Sequence, residues 1–191
     1  MMAWLDDDDL VSAGTTYCEF NTDNALDTFK DILNALVRRP ASFFRHMPVD
    51  GGYLNPTLFL LLCTVICGFL STILHTSLWP LVRVPVLGVL SVYMTSAILY
   101  LISSRLFGGK GSFEATFRTA AYSGMVFLVM WISVLDVFAF FCGLFLLVLG
   151  TERVHGMGRS ASIAAVVMSA AASLVLLLIF GFWRWSVGLP F

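Results

Sequence analysis

Charged residues divide the chain into long apolar stretches. None lies between Gly51 and Val82, Val84 and Ser104, Thr119 and Leu135, Val137 and Thr151, or Ser160 and Trp183. A helix needs about 20 apolar residues to cross about 30 Å of hydrocarbon, and the first, second and fifth stretches are long enough. The third and fourth are shorter and are parted only by Asp136. One helix from Thr119 to Thr151 would run about 50 Å at ~1.5 Å per residue, too long for a single crossing. The pair therefore predicts a tight helical hairpin turning near Ser133 to Asp136.

A different period precedes the first stretch. Leu26, Phe29, Ile32, Leu33, Leu36 and Val37 recur at helical spacing, with Asp27, Lys30, Asp31 and Asn34 opposite. The helix should stop at Arg38-Arg39-Pro40, because proline disfavours helical geometry in the residue before it. Phe43, Phe44 and Met47 add apolar anchors beside Arg45 and His46. The pattern predicts an amphipathic helix lying on the headgroups, with a docking helix for a soluble partner as the alternative. Residues 1–24 are acidic and polar and read as a disordered tail. Asp6 to Asp9 give the start of the chain the wrong charge for a signal peptide.

These elements add up to an all-α fold, a polytopic bundle of five transmembrane helices at about 56–78, 85–106, 114–133, 136–152 and 161–183. The transmembrane domain covers 53–186, the interfacial segment 25–52, and a short outer tail 187–191. Composition agrees. Of 191 residues, 59% are hydrophobic and 12% charged, and mean hydropathy is +0.89. No soluble fold of this size has interior enough for that much apolar surface.

A net charge of −1 gives no reason to expect nucleic-acid binding. The distribution of charge is more informative. Lys30, Arg38, Arg39, Arg45, Arg105, Lys110, Arg118, Arg153 and Arg159 fall on one side of the expected spans, and only Arg83 and Arg184 on the other. The positive-inside rule then places the N-terminus in the cytoplasm and the C-terminus outside. Trp79, Trp131, Trp183 and Trp185 fall at the expected outer ends, where aromatic belts form.

Motifs for chemistry are weak. Phe107-Gly108-Gly109-Lys110-Gly111-Ser112 superficially resembles a phosphate cradle, but the glycine follows the lysine and no strand precedes the loop. Gly108 suits a left-handed helix end, Ser112 an N-cap, and Glu114 the first turn of the next helix. Cys63, Cys67, Ser71 and His75 recur every four residues, yet no facing span offers a matching ligand set, so they read as packing residues. With Cys18 and Cys142 they suggest no disulfide framework. Glu152-x-x-His155 is half of a di-iron motif and lacks further carboxylates. Ala161, Ala165, Ser169 and Ala172 or Ser173 form a small-residue packing stripe. No catalytic, cofactor or metal-binding set emerges, and an enzyme is not expected.

Three stretches carry a family resemblance. They are Pro40-Ala41-Ser42-Phe43-Phe44 with Met47 and Gly51-Gly52; the run from Phe107 to Arg118 with Ala121-Tyr122-Ser123; and Gly150-Thr151-Glu152-Arg153-Val154-His155-Gly156. In order and spacing, over about residues 27–182, the chain resembles the Yip family of Ypt/Rab-interacting membrane proteins in its prokaryotic branch. The resemblance implies a five-span scaffold without known catalysis. Eukaryotic relatives work in ER–Golgi vesicle traffic and bind Rab-type GTPases through a long cytoplasmic N-terminus. Here that arm is short, and the Asp-Leu-Tyr-Gly-Pro stretch typical of them is missing.

The expected function is non-enzymatic: recruitment or membrane organisation through a cytoplasmic face of Phe43, Phe44, Arg45, Lys110, Glu114, Arg118 and His155. The alternative is a small oligomeric channel or permease with Tyr93, Thr95, Ser96, Tyr122, Ser123 and Asp136 along a path, Asp136 being the one acid outside the cytoplasmic clusters. Expected partners are the lipid bilayer and an unidentified membrane or cytoplasmic protein, with a homo-oligomer as the other option. No cofactor and no nucleic acid are expected.

Overall fold

The computed structural model describes residues 19–21, 24–76, 78–132 and 134–186, without the side chains of residues 75, 177 and 180–186. All regular structure among them is helical: α1 (Ala25–Arg38), α2 (Pro40–His46), α3 (Leu54–His75), α4 (Trp79–Leu106), α5 (Phe113–Ser123), a 3-10 turn (Gly124–Leu128), α6 (Asp136–His155) and α7 (Arg159–Ser186). Four helices are long and apolar enough to cross a membrane: Leu54–Leu74, Trp79–Leu106, Asp136–His155 and Arg159–Leu176.

Small residues let these helices approach closely. A Cβ on Gly68 of α3 would lie 2.9 Å from the Pro80 carbonyl oxygen, and one on Gly88 of α4 would lie 2.7 Å from Thr64 Cγ2. On α7, Ala165 and Ser169 of the expected stripe are buried, and Ala165 packs with Leu99 of α4. That stripe is a packing face within the chain.

The third expected crossing differs most. A continuous helix over 114–133 is replaced by α5, the 3-10 turn and irregular turns running to Leu135. Two local features mark the end of α5. Ser123 Oγ donates to the Thr119 carbonyl at 2.8 Å, a side-chain bond that competes with the helical ladder. The Gly124 N–H is shared among the carbonyls of Ala120, Ala121 and Tyr122, which tightens the last turn toward 3-10 geometry. The chain still travels the depth of the bundle here. His155 lies against the 107–112 loop, its carbonyl accepting from Lys110 N–H at 3.2 Å. Asp136, at the other end of α6, is about 28 Å away at ~1.5 Å per residue. Residues 113–135 connect those two ends. The hairpin turn expected at Ser133 to Asp136 is spread instead over the turns from Val129 to Leu135, and Ser133 itself lies outside the described residues.

Every residue from Ala115 to Gly124 is buried, although α5 contains Thr116, Arg118, Thr119 and Ser123. The longer helices surround this short polar one. Gly150 of α6 sits so close to Thr119 that no Cβ would fit.

The amphipathic helix α1 turns much of its apolar face onto protein, while Leu26 and Val37 of the same face stay exposed. Phe29, Ile32 and Leu36 are buried in one cluster with Phe59 and Cys63 of α3, Tyr122 of α5 and Leu146 of α6. Phe29 and Phe59 have ring centroids 5.4 Å apart. Two residues of the segment 1–24, expected to be disordered, have a fixed place. Glu19 and Phe20 are packed against the bundle, and residues 1–18, like the expected outer tail 187–191, lie outside the described residues.

Candidate functional site

The site is built where α3, α5, α6 and the N-terminal arm meet. Ser112 caps α5 by accepting from Ala115 N–H at 3.1 Å. This sets Glu114 and Arg118 one turn apart on one face. Together they hold both sides of a single residue: Gly52 N–H donates to Glu114 Oε1 at 2.5 Å, and the Gly52 carbonyl accepts from an Arg118 terminal nitrogen at 3.1 Å. Gly51 and Gly52 have φ of +133° and +85°, which glycine adopts at least cost. At Gly51 space is also short, since a Cβ would lie 3.1 Å from Arg118 Nη1.

Arg118 is fully enclosed, with a relative exposure of 0%. A charge so placed requires a partner, and Glu19 supplies it: Arg118 Nη2 to Glu19 Oε1 is 2.7 Å. Asn55 Nδ2 donates to the same carboxylate oxygen at 3.2 Å. The next residue is held as firmly. Phe20 N–H donates to Tyr122 Oη at 3.2 Å, and its ring packs edge-on against Phe59 at 6.3 Å. Arg118 Nε has no hydrogen-bond partner among the described residues.

A second group lies beside the first. His155 Nε2 and Thr116 Oγ1 are 2.9 Å apart. The glycine loop closes over the ring, because a Cβ on Gly109 would lie 2.6 Å from His155 Nδ1 and one on Gly111 would lie 3.0 Å from it. The residues that resembled a phosphate cradle therefore form a lid on a histidine. Gly108 ends α4 with a φ of +65°, the left-handed conformation expected of it.

Of the residues expected to form an interaction face, Phe43, Phe44, Arg118 and His155 are interior, Glu114 is half-buried, and Arg45 and Lys110 are exposed. Phe43 packs edge-on against Tyr122 at 5.3 Å. The interior four hold the cap together and do not face outward. Glu19, Phe20 and Asn55 were not singled out from the sequence. Only Arg118 carried a usable signal, as a lone charge one turn after Glu114 in a run that becomes apolar.

The residues expected along a path are divided between different packing clusters. Tyr93 stacks on Phe117 at 4.2 Å and shares a 3.1 Å hydrogen bond with Thr57. Tyr122 sits apart from it, among Phe43 and Phe59. Ser96 and Ser123 turn their hydroxyls back to the carbonyls of Val92 and Thr119, Thr95 is half-buried, and Asp136 is at the far end of α6. Among the described residues no group of three or more His, Cys, Asp or Glu side chains could hold a metal.

The Yip1 domain model matches residues 34–182, from within α1 to within α7. The chain belongs to the Yip1 domain family. No curated protein and no solved structure matches it. With its apolar helices, the Yip1 domain makes this an integral membrane protein. Glu19 and Phe20 fall outside the matched segment, so the acid that neutralises Arg118 comes from beyond the Yip1 domain itself.

Proposed function

We propose that this Yip1 domain protein is a non-enzymatic membrane scaffold, with the end that carries the glycine loop and α1 facing the cytoplasm. Residues 113–135 make a fifth crossing in this reading, which puts the N-terminus inside and the C-terminus outside. A bacterial cytoplasmic membrane is the setting we favour. The excess of basic residues at one set of loops supports the orientation.

One observation carries the recruiting role. Helix α1 is fixed to the bundle through Phe29, Ile32 and Leu36, while Asp27, Lys30, Asp31, Asn34 and Arg38 remain exposed. A charged surface on a rigid support suits docking better than a mobile tail does, because less freedom is lost on binding. Exposed Lys110 and Arg45 extend that surface. A mild-detergent pull-down from native membranes after in-cell crosslinking tests the role. A stoichiometric partner joined through Lys30 or Lys110 supports it, and self-crosslinks alone contradict it.

The enclosed polar helix α5 favours a second reading, a small oligomeric channel or permease. Thr119 Oγ1, Thr151 Oγ1, Ser103 Oγ and Ser162 Oγ are buried without a hydrogen-bond partner among the described residues, and such groups in a bundle interior suit ordered water. Solute flux in proteoliposomes that changes on Asp136→Asn or Thr119→Val supports this reading, and no flux contradicts it.

A further inference from the structure

The Arg118 cradle reads three features of what it holds. Arg118 and Asn55 take a carboxylate, Tyr122 Oη takes the following backbone N–H, and the Phe59 neighbourhood takes the aromatic ring attached to it. These are the marks of peptide recognition: a charge, a main-chain bond and an apolar anchor at fixed spacing. These contacts are made by two adjacent residues, Glu19 and Phe20, which lie outside the matched Yip1 domain.

We propose that Glu19–Phe20 is an exchangeable internal ligand, and that the cradle accepts in its place a partner segment in which an acidic residue is followed directly by an aromatic one. Arg118 dictates that the event is an exchange. A fully buried guanidinium loses the one carboxylate paired with it among the described residues if the arm simply leaves, and Glu114 is already engaged by Gly52. Whatever displaces the arm must therefore bring an anion. Arg118 Nε, buried and without a partner, leaves a donor that a better-aligned carboxylate could also use, since guanidinium pairs with carboxylate through two parallel bonds. A phosphate headgroup would satisfy the charge but offers neither a backbone N–H to Tyr122 nor a ring to the aromatic site. A peptide satisfies all three. The exchange frees the arm as the partner binds. Its biological use rests on the scaffold reading, but the exchange itself can be tested without any cellular partner.

The test uses the full chain in detergent micelles and an eight-residue peptide, Thr-Tyr-Ser-Glu-Phe-Asn-Thr-Asp, which is residues 16–23 with Cys18→Ser. Amide hydrogen exchange over residues 19–21 is followed as the peptide is added. Exchange should accelerate by about tenfold at saturation, because the internal segment is competed out of a protected site. A peptide with glutamine for its glutamate should leave it unchanged. No acceleration at millimolar peptide, or equal acceleration by the glutamine peptide, overturns the proposal. A Phe20→Ala variant gives an independent reading and should bind labelled peptide about tenfold more tightly than the wild type, because its own arm competes less well. Equal affinity overturns the proposal. Should that variant misfold, wild-type exchange decides alone. Exchange without a partner in native membranes sinks the scaffold reading and leaves this one standing; a partner without exchange does the reverse.

Discussion

Arg118 and Glu19 meet at 2.7 Å although 99 residues of chain separate them. This contact ties the N-terminal arm to the most enclosed helix of the bundle. Around it the cap is assembled in layers. Glu114 and Arg118 grip Gly52, the Gly52 turn opens α3, and α3 presents Phe59 to Phe20 and Phe29. The charged face of α1 is oriented by that packing.

Breaking the pair from one side should be costly. Glu19→Gln leaves a buried guanidinium with only neutral acceptors and should destabilise the protein by about 3 kcal/mol. Arg118→Met combined with Glu19→Gln should recover most of that loss, because no uncompensated charge remains. Thermal unfolding of the two variants in detergent, beside Arg118→Met alone, checks the coupling. Additive losses would mean that the two residues do not act as a pair.

Helix α1 offers a contrast within one element. Ile32→Ala removes a fully buried side chain and should cost about 2–4 kcal/mol. Leu26, 71% exposed on the same helix, should tolerate alanine to within about 0.5 kcal/mol. Hydrogen exchange along α1 reports the difference, with faster exchange expected in the first variant only. A helix held by lipid alone would respond alike to both.

Much of this architecture was legible in the chain. The stretches free of charge became α3, α4, α6 and α7 because each is long enough to satisfy its own backbone in an apolar surround. Leu36 and its neighbours announced α1 through their period, and Gly108 and Ser112 marked a helix end and a helix start. The break in the helix of the third expected crossing was hidden because it falls at Ser123 and Gly124, whose hydrogen bonds leave the apolar pattern unchanged. Glu19–Phe20 left no sign at all. Two residues in a polar run have no periodicity, and their partners are set by the fold of the rest. Phe43, Phe44 and His155 were recognised as distinctive but assigned to a surface, since a motif does not reveal which neighbours will close over it.

The proposed fifth crossing has a direct consequence for labelling. In a chain with its native cysteines replaced, Lys110→Cys and Val134→Cys occupy exposed positions, one in the loop before residue 113 and one in the turns that lead to Leu135. A membrane-impermeant maleimide added to intact cells should label the second and spare the first. Labelling of both, or of neither until the cells are opened, would place the two loops on one side.

The central claim is that the charged face of α1 recruits a partner. Lys30 and Arg38 are exposed, and the 3.8 Å Lys30–Asp27 contact is an exposed pair of the kind that adds little stability. Lys30→Glu with Arg38→Glu should therefore fold and insert as the wild type does. Quantitative crosslinking from native membranes, wild type against this double variant, is the most direct measurement. The account predicts a stoichiometric partner with the wild type and its loss from the variant at equal protein level. Equal recovery from both would contradict it.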